Sequence, residues 1–161
     1  MQICNAVTKE YLHMTYFTDL SPYSYLPNTV PSTVAAFNVG WLDGENAFHS
    51  GEAPDEFIGA LADLCAQSSH AKTRGWHVCN LVHASSPPPY PITMEAGGRT
   101  IVLGSAEVRV VTPDGAWLVA PDLVLHYVID HKYLPPEEFV EAVMAKRNAP
   151  SGGPQQPSHV L

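Results

Sequence analysis

One stretch fixes more of the architecture than any other. Ala106-Glu-Val-Arg-Val-Val alternates charged and apolar residues, Thr112-Pro-Asp-Gly places proline and glycine where a tight turn needs them, and Ala116-Trp-Leu-Val-Ala returns. A period of two with a turn between demands an antiparallel β-hairpin. Its alternation sets Glu107 and Arg109 on one face and Val108 and Val110 on the other. A charged pair at i and i+2 on a strand is expected on the solvent face, with a polar pocket as the alternative.

Helices must cover the apolar face. Pro54, Asp55 and Glu56 form a favourable helix start, and Phe57, Leu61 and Leu64 recur at helical spacing with Ile58 and Cys65 beside them. Cys65 is therefore expected in the core. Pro135-Pro-Glu-Glu-Phe-Val-Glu-Ala-Val-Met-Ala-Lys-Arg has acids at its start and bases at its end, which matches the helix dipole. Between them, Pro121-Asp-Leu-Val-Leu-His-Tyr-Val-Ile-Asp-His reads as a helix, against a buried strand as the competing reading. Thr33–Trp41, Thr73–His83 and Thr100–Leu103 carry strand composition, and Leu42-Asp-Gly-Glu-Asn a turn. The expected fold is α+β, a small antiparallel sheet packed on about three helices, in a single domain.

The globular part is expected over residues 14–148. Residues 1–13 read as a dispensable extension, and 149–161, rich in Pro, Gly, Gln and Ser, as a disordered tail containing His159. Ser85–Pro91 reads as a stiff polyproline-like loop. No apolar run is long enough to span a membrane as a helix. With 8 Lys and Arg against 16 Asp and Glu, a net charge of −8 argues against nucleic acid as partner. A protein or a small molecule is expected instead. Three cysteines do not make a secreted disulfide framework, and the N-terminus lacks a signal-peptide pattern, so the cytoplasm is the expected location.

Two groups of residues can carry chemistry: His77-Val-Cys79 with His83, and His126 with His131. A turn bearing Cys79 and a helix bearing both histidines would supply three zinc ligands. Five residues separate His126 from His131, about 140° around an ideal helix. They converge only if the helix ends near Asp130. The alternative is a set of ordinary packed residues, with Asp122 and Asp130 pairing His126 at i±4. A third reading makes Cys79 a nucleophile with His77 or His131 as base and Asp130 as orienter. The aromatics Tyr16, Phe17, Tyr23, Tyr25, Phe37 and Trp41 are expected in the core, with a partner-binding patch as the other use.

The stretches Tyr16–Tyr25, Asn38–Asp43, Arg74–Cys79, Gly104–Val110 and Ala120-Pro-x-Leu-x-x-His-Tyr-Val-x-x-His-x-Tyr-x-Pro-Pro-x-x-Phe resemble a family of short, uncharacterised bacterial proteins frequent in actinomycetes. The resemblance implies a compact domain of no assigned activity. It also implies a Cys-x-x-Cys that, with the two histidines, makes a Cys₂His₂ set. Mapped here, those positions are Cys79, Val82, His126 and His131, so the second cysteine is missing and His83 or water would be the fourth ligand. Three functions follow as expectations: a cytosolic binding or regulatory domain with an intact or degenerate structural zinc site (Cys79, His83, His126, His131); a small metal-dependent hydrolase with Glu107 as candidate base; or a metal-free interaction or immunity-type protein.

Overall fold

The computed structural model describes residues 11–13, 16–67, 76–83 and 88–150. Its strands are β1 (Tyr11–His13), β2 (Ala36–Asn38), β3 (Trp76–Val78), β4 (Thr93–Ala96), β5 (Arg99–Val102), β6 (Glu107–Val111) and β7 (Trp117–Pro121). Its helices are α1 (Asp55–Gln67), α2 (Val124–His131) and α3 (Glu137–Met144). The fold is α+β, as the periodicities require.

The hairpin pairs β6 with β7, Val110 opposite Leu118 and Glu107 opposite Pro121. β2 then joins β7 in parallel, so the central sheet, in the order β2-β7-β6, is mixed rather than purely antiparallel. Parallel neighbours need a long connection, and here α1, β3, the β4-β5 hairpin and β6 lie between. β4 and β5 form a second hairpin turning at Gly97 and Gly98, both at positive φ. β1 pairs with β3 in parallel, so residues 11–13 of the expected extension form a strand beside the segment that leads to Cys79. The remaining residues of that extension, residues 73–75 of the expected Thr73–His83 strand, residues 85–87 of the proline loop, and residues 151–161 with His159 lie outside the described residues.

α1 buries Phe57, Leu61, Leu64 and Cys65, the stripe its spacing dictates. Phe57 meets Phe139 of α3 edge-on at 6.2 Å. α2 is buried from Val124 to Val128, on all sides rather than along one stripe. That is why its periodicity looks ambiguous: a helix packed all round is apolar all round. Lys146 and Arg147 lie beyond α3, whose last residue is Met144. Trp41 is almost completely buried, with Phe17, Tyr23 and Tyr25 half-buried around it. The aromatic segment therefore serves as core.

The charged face of β6 is not on the surface. Glu107 is 3% exposed and Arg109 2%. The Arg109 guanidinium donates to Glu107 Oε1 from Nη2 (2.6 Å) and Nε (3.1 Å), and to the Thr29 carbonyl from Nη1 (2.8 Å). Tyr23 donates its phenol to Glu107 Oε2 at 2.8 Å. The irregular segment between Tyr23 and Thr29 covers the strand face and replaces water with polar partners.

Candidate metal centre

α2 begins after Pro121-Asp122 and ends at His131, with Lys132 in the left-handed conformation (φ 58°). The Lys132 amide donates to the carbonyl of Tyr127, five residues back, which widens the closing turn. A wide turn rotates residues five apart towards one another. His126 and His131 accordingly converge, ring centroids 5.0 Å apart, with the helix ending one residue after Asp130, near where their convergence requires. The opposing ligands come from the loop after β3. Cys79 is buried at the strand's end, and His83 closes the loop.

Four donor atoms meet there, all within 4.8 Å of one another: one each from Cys79, His83, His126 and His131. His83 Nε2 lies 3.3 Å from His126 Nε2 and 3.3 Å from His131 Nε2, and Cys79 Sγ lies 3.5 Å from His131 Nε2. Zinc in a tetrahedron, with its usual Zn–N and Zn–S lengths, sets N···N edges at about 3.3 Å and S···N edges at about 3.6 Å. These three separations have the lengths of such edges. Val82, where the resemblance implies a second cysteine, is 90% exposed and outside the cluster. The neighbouring His83 is inside it.

The surroundings favour the ligating form of His126 and His131, while burial opposes that of Cys79. Asp130 Oδ2 lies 2.9 Å from His126 Nδ1, a short contact that is off the line of an ordinary hydrogen bond. A carboxylate on Nδ1 keeps the proton there and leaves the Nε2 lone pair free for a metal. Burial pushes the His126 imidazolium down to about 4, helped by the neighbouring His131 and His83 and opposed by Asp130. Burial also lowers His131. The Cys79 thiol is pushed up to about 11, chiefly by burial, while the Leu81 amide favours its thiolate. Neutral imidazoles and an amide aimed at sulfur are a donor set for a cation. One divalent ion, one thiolate and the Asp130 carboxylate would sum to zero charge.

The same geometry bears on two other expectations. For the nucleophile reading, His131 Nε2 lies within reach of the Cys79 sulfur at 3.5 Å, but burial raises the thiol rather than depressing it, Asp130 faces His126 instead of orienting His131, and the His77 ring packs edge-on against Tyr25 at 6.4 Å. Glu107, the candidate base, is committed to Arg109 and Tyr23. The carboxylate that accompanies the cluster is Asp130. Sequence spacing alone marks it, as the i+4 partner of His126. Asp122, the other expected partner, instead accepts the Gly104 amide at 2.7 Å. Cys65 is buried in the core, its sulfur 3.8 Å from the Asp122 carbonyl.

Comparison with curated proteins and with solved structures gives no match to either. A family model matches residues 15–144, which contain the sheet, all three helices and the four clustered side chains. The chain therefore belongs to the DUF7919 family, a domain of unknown function.

Proposed function

We propose that the chain is a binding or regulatory domain built around a closed structural zinc centre, with Cys79, His83, His126 and His131 as its four ligands. The observation that carries this reading is the convergence of four donors within 4.8 Å, three of whose separations have the lengths of zinc-tetrahedron edges. Four protein ligands leave no open position, which suits structure rather than catalysis. The hydrolase reading needs a free carboxylate near an open metal position. Among the described residues, Asp130 is engaged with His126 and Glu107 with Arg109. Buried, unpaired Cys65 and Cys79 suit a reducing compartment, in keeping with the cytoplasm. The partner is a protein or a small molecule, since a net charge of −8 disfavours phosphate backbones.

Elemental analysis of the purified, untagged protein tests the proposal, together with Cys79→Ser and His126→Ala. About one zinc per chain, lost in both variants, is the expected result. No bound metal, with His126→Ala folded and as stable as the wild type, overturns the proposal and leaves the metal-free interaction protein. Retained zinc in Cys79→Ser with measurable esterase or phosphatase activity would favour the hydrolase.

A further inference from the structure

The metal centre just proposed has supports outside its own ligands, and the inference here rests on that reading and deepens it. We infer that Gly44 and Tyr90 are positioning residues, which hold the Cys79–His83 loop in its ligating shape before an ion binds.

Gly44 sits in a turn organised by Asp43, whose Oδ1 accepts the amides of Glu45 (3.2 Å) and Asn46 (3.0 Å). Its φ is not in the left-handed region, so the turn does not need glycine for conformational freedom. It needs glycine for space. A Cβ on residue 44 would stand 2.7 Å from the Asn80 carbonyl oxygen, closer than real Cβ atoms come. Alanine would push the Asn80 peptide away by about half an ångström, the scale on which a metal site loses its geometry. Asn80 directly follows the ligand Cys79.

Tyr90 holds the other side. Its phenol accepts the Cys79 amide at 2.9 Å and donates to the Cys79 carbonyl at 3.4 Å. The Leu81 amide is directed at the Cys79 sulfur. Thus residue 79 is fixed by Tyr90, residue 80 is seated on Gly44, and residue 81 orients the sulfur. The facing ligands stand on α2, which is buried in the core. Both halves of the site are anchored independently of the ion. Zinc then binds without having to order residues 79–81, and that share of the ordering cost is absent from its affinity.

The test uses the full chain with Gly44→Ala and Tyr90→Phe, and Val82→Ala as control, because Val82 is 90% exposed on the same loop. Zinc affinity is read by chelator competition, ligand geometry from the visible spectrum of the cobalt(II) protein, and fold from the melting temperature after chelation. Each positioning variant should bind zinc about 10- to 100-fold more weakly and shift the cobalt spectrum. Its chelated form should melt with the chelated wild type. Val82→Ala should match the wild type in all three. Affinities within about twofold of wild type for both variants overturn the inference while leaving the zinc centre standing. So does a chelated melting temperature lowered as far as that of the zinc-bound form, because the residues would then be supporting the fold alone. A wild-type chain that binds neither ion overturns the zinc centre itself, and the inference with it.

Discussion

Replacing Arg109 with leucine would strand a carboxylate inside the protein, and the structure sets the cost. Arg109 and Glu107 are both almost fully buried, and the guanidinium supplies two of the hydrogen bonds to Glu107 Oε1. It also satisfies the Thr29 carbonyl and reaches Thr29 Oγ1 at 2.5 Å. After the substitution Glu107 keeps only the Tyr23 phenol among these donors, and the Thr29 carbonyl loses the Arg109 donor. Removing one member of a buried pair costs about 3–5 kcal/mol, against about 0–1 kcal/mol for an exposed pair. For a chain of this size that is a fall in Tm of about 10–15 °C. Burial already raises the Glu107 carboxyl above its ordinary range despite the guanidinium beside it. Protonation therefore offsets part of the cost, and the deficit of the variant should shrink towards pH 5. The double variant Glu107→Leu with Arg109→Leu leaves neither charge and should lie within about 2 kcal/mol of wild type. Urea unfolding of the four members of the cycle at pH 7 and pH 5 measures each quantity. Arg109→Leu costing less than about 1 kcal/mol, or single costs that simply add in the double variant, would refute the reasoning.

Other substitutions read other parts of the fold. Gly40 has φ +75°, and a Cβ there would stand 2.9 Å from Val124 Cγ2, so Gly40→Ala should cost about 2–3 kcal/mol in unfolding free energy. Tyr133 is fully buried and donates to Asp19 Oδ2 at 2.7 Å, so Tyr133→Phe should cost about 1.5–3 kcal/mol, measured the same way. The raised Glu107 carboxyl gives a pH signature: its contribution is fully present below about pH 4.5 and is lost as pH rises through the folded-state value. Wild type should therefore lose stability relative to Glu107→Gln as pH rises from 4.5 to 7, and a constant difference across melting curves in that range would contradict this.

The hairpin of β6 and β7 and the stripe of α1 are legible because each is a local rule written in consecutive residues. β4 was missed, although Gly97-Gly98 ahead of Thr100–Leu103 is a turn signal that asks for a strand on its other side. The parallel partnership of β2 with β7 leaves no local mark, since its two strands lie about eighty residues apart in the chain. The burial of Glu107 and Arg109 was hidden for a related reason. Alternation shows which residues share a face, but what covers that face is Tyr23–Thr29, a proline-broken segment without periodicity. The candidate ligands were legible by residue type, His83 among them. Their convergence was legible only as a condition, a helix ending near Asp130; the wide last turn of α2 that meets it has no mark in 100° steps around an ideal helix.

The position of the cluster explains what an ion would add. The core closes without it: Trp41, Phe57, Leu61, Leu103, Leu118, Leu125 and Phe139 are buried among the sheet and helices. The loop from Cys79 to His83 has little share in that core. Cys79 is its one buried residue, while Asn80 and Val82 face solvent. β3, which leads into the loop, pairs with β1 alone among the described strands and is tied to the rest through the His77 amide and the Gly104 carbonyl at 2.8 Å. Burying one cysteine side chain contributes on the order of 1 kcal/mol. A structural zinc site contributes on the order of 10 kcal/mol at neutral pH. Zinc would therefore dominate the attachment of this loop to α2 while adding little that the core lacks. Its removal should loosen Val82–His83 and α2's last turn first, beyond the part of the loop held by Tyr90 and Gly44, and leave β6, β7 and α1 in place. Hydrogen exchange on the chelated protein distinguishes this from global unfolding: protection should fall at Val82–His83 and Asp130–His131 and persist at Val108–Val110. Equal loss at both places would mean that the ion holds the whole fold together, and that the buried core is less self-sufficient than its packing implies.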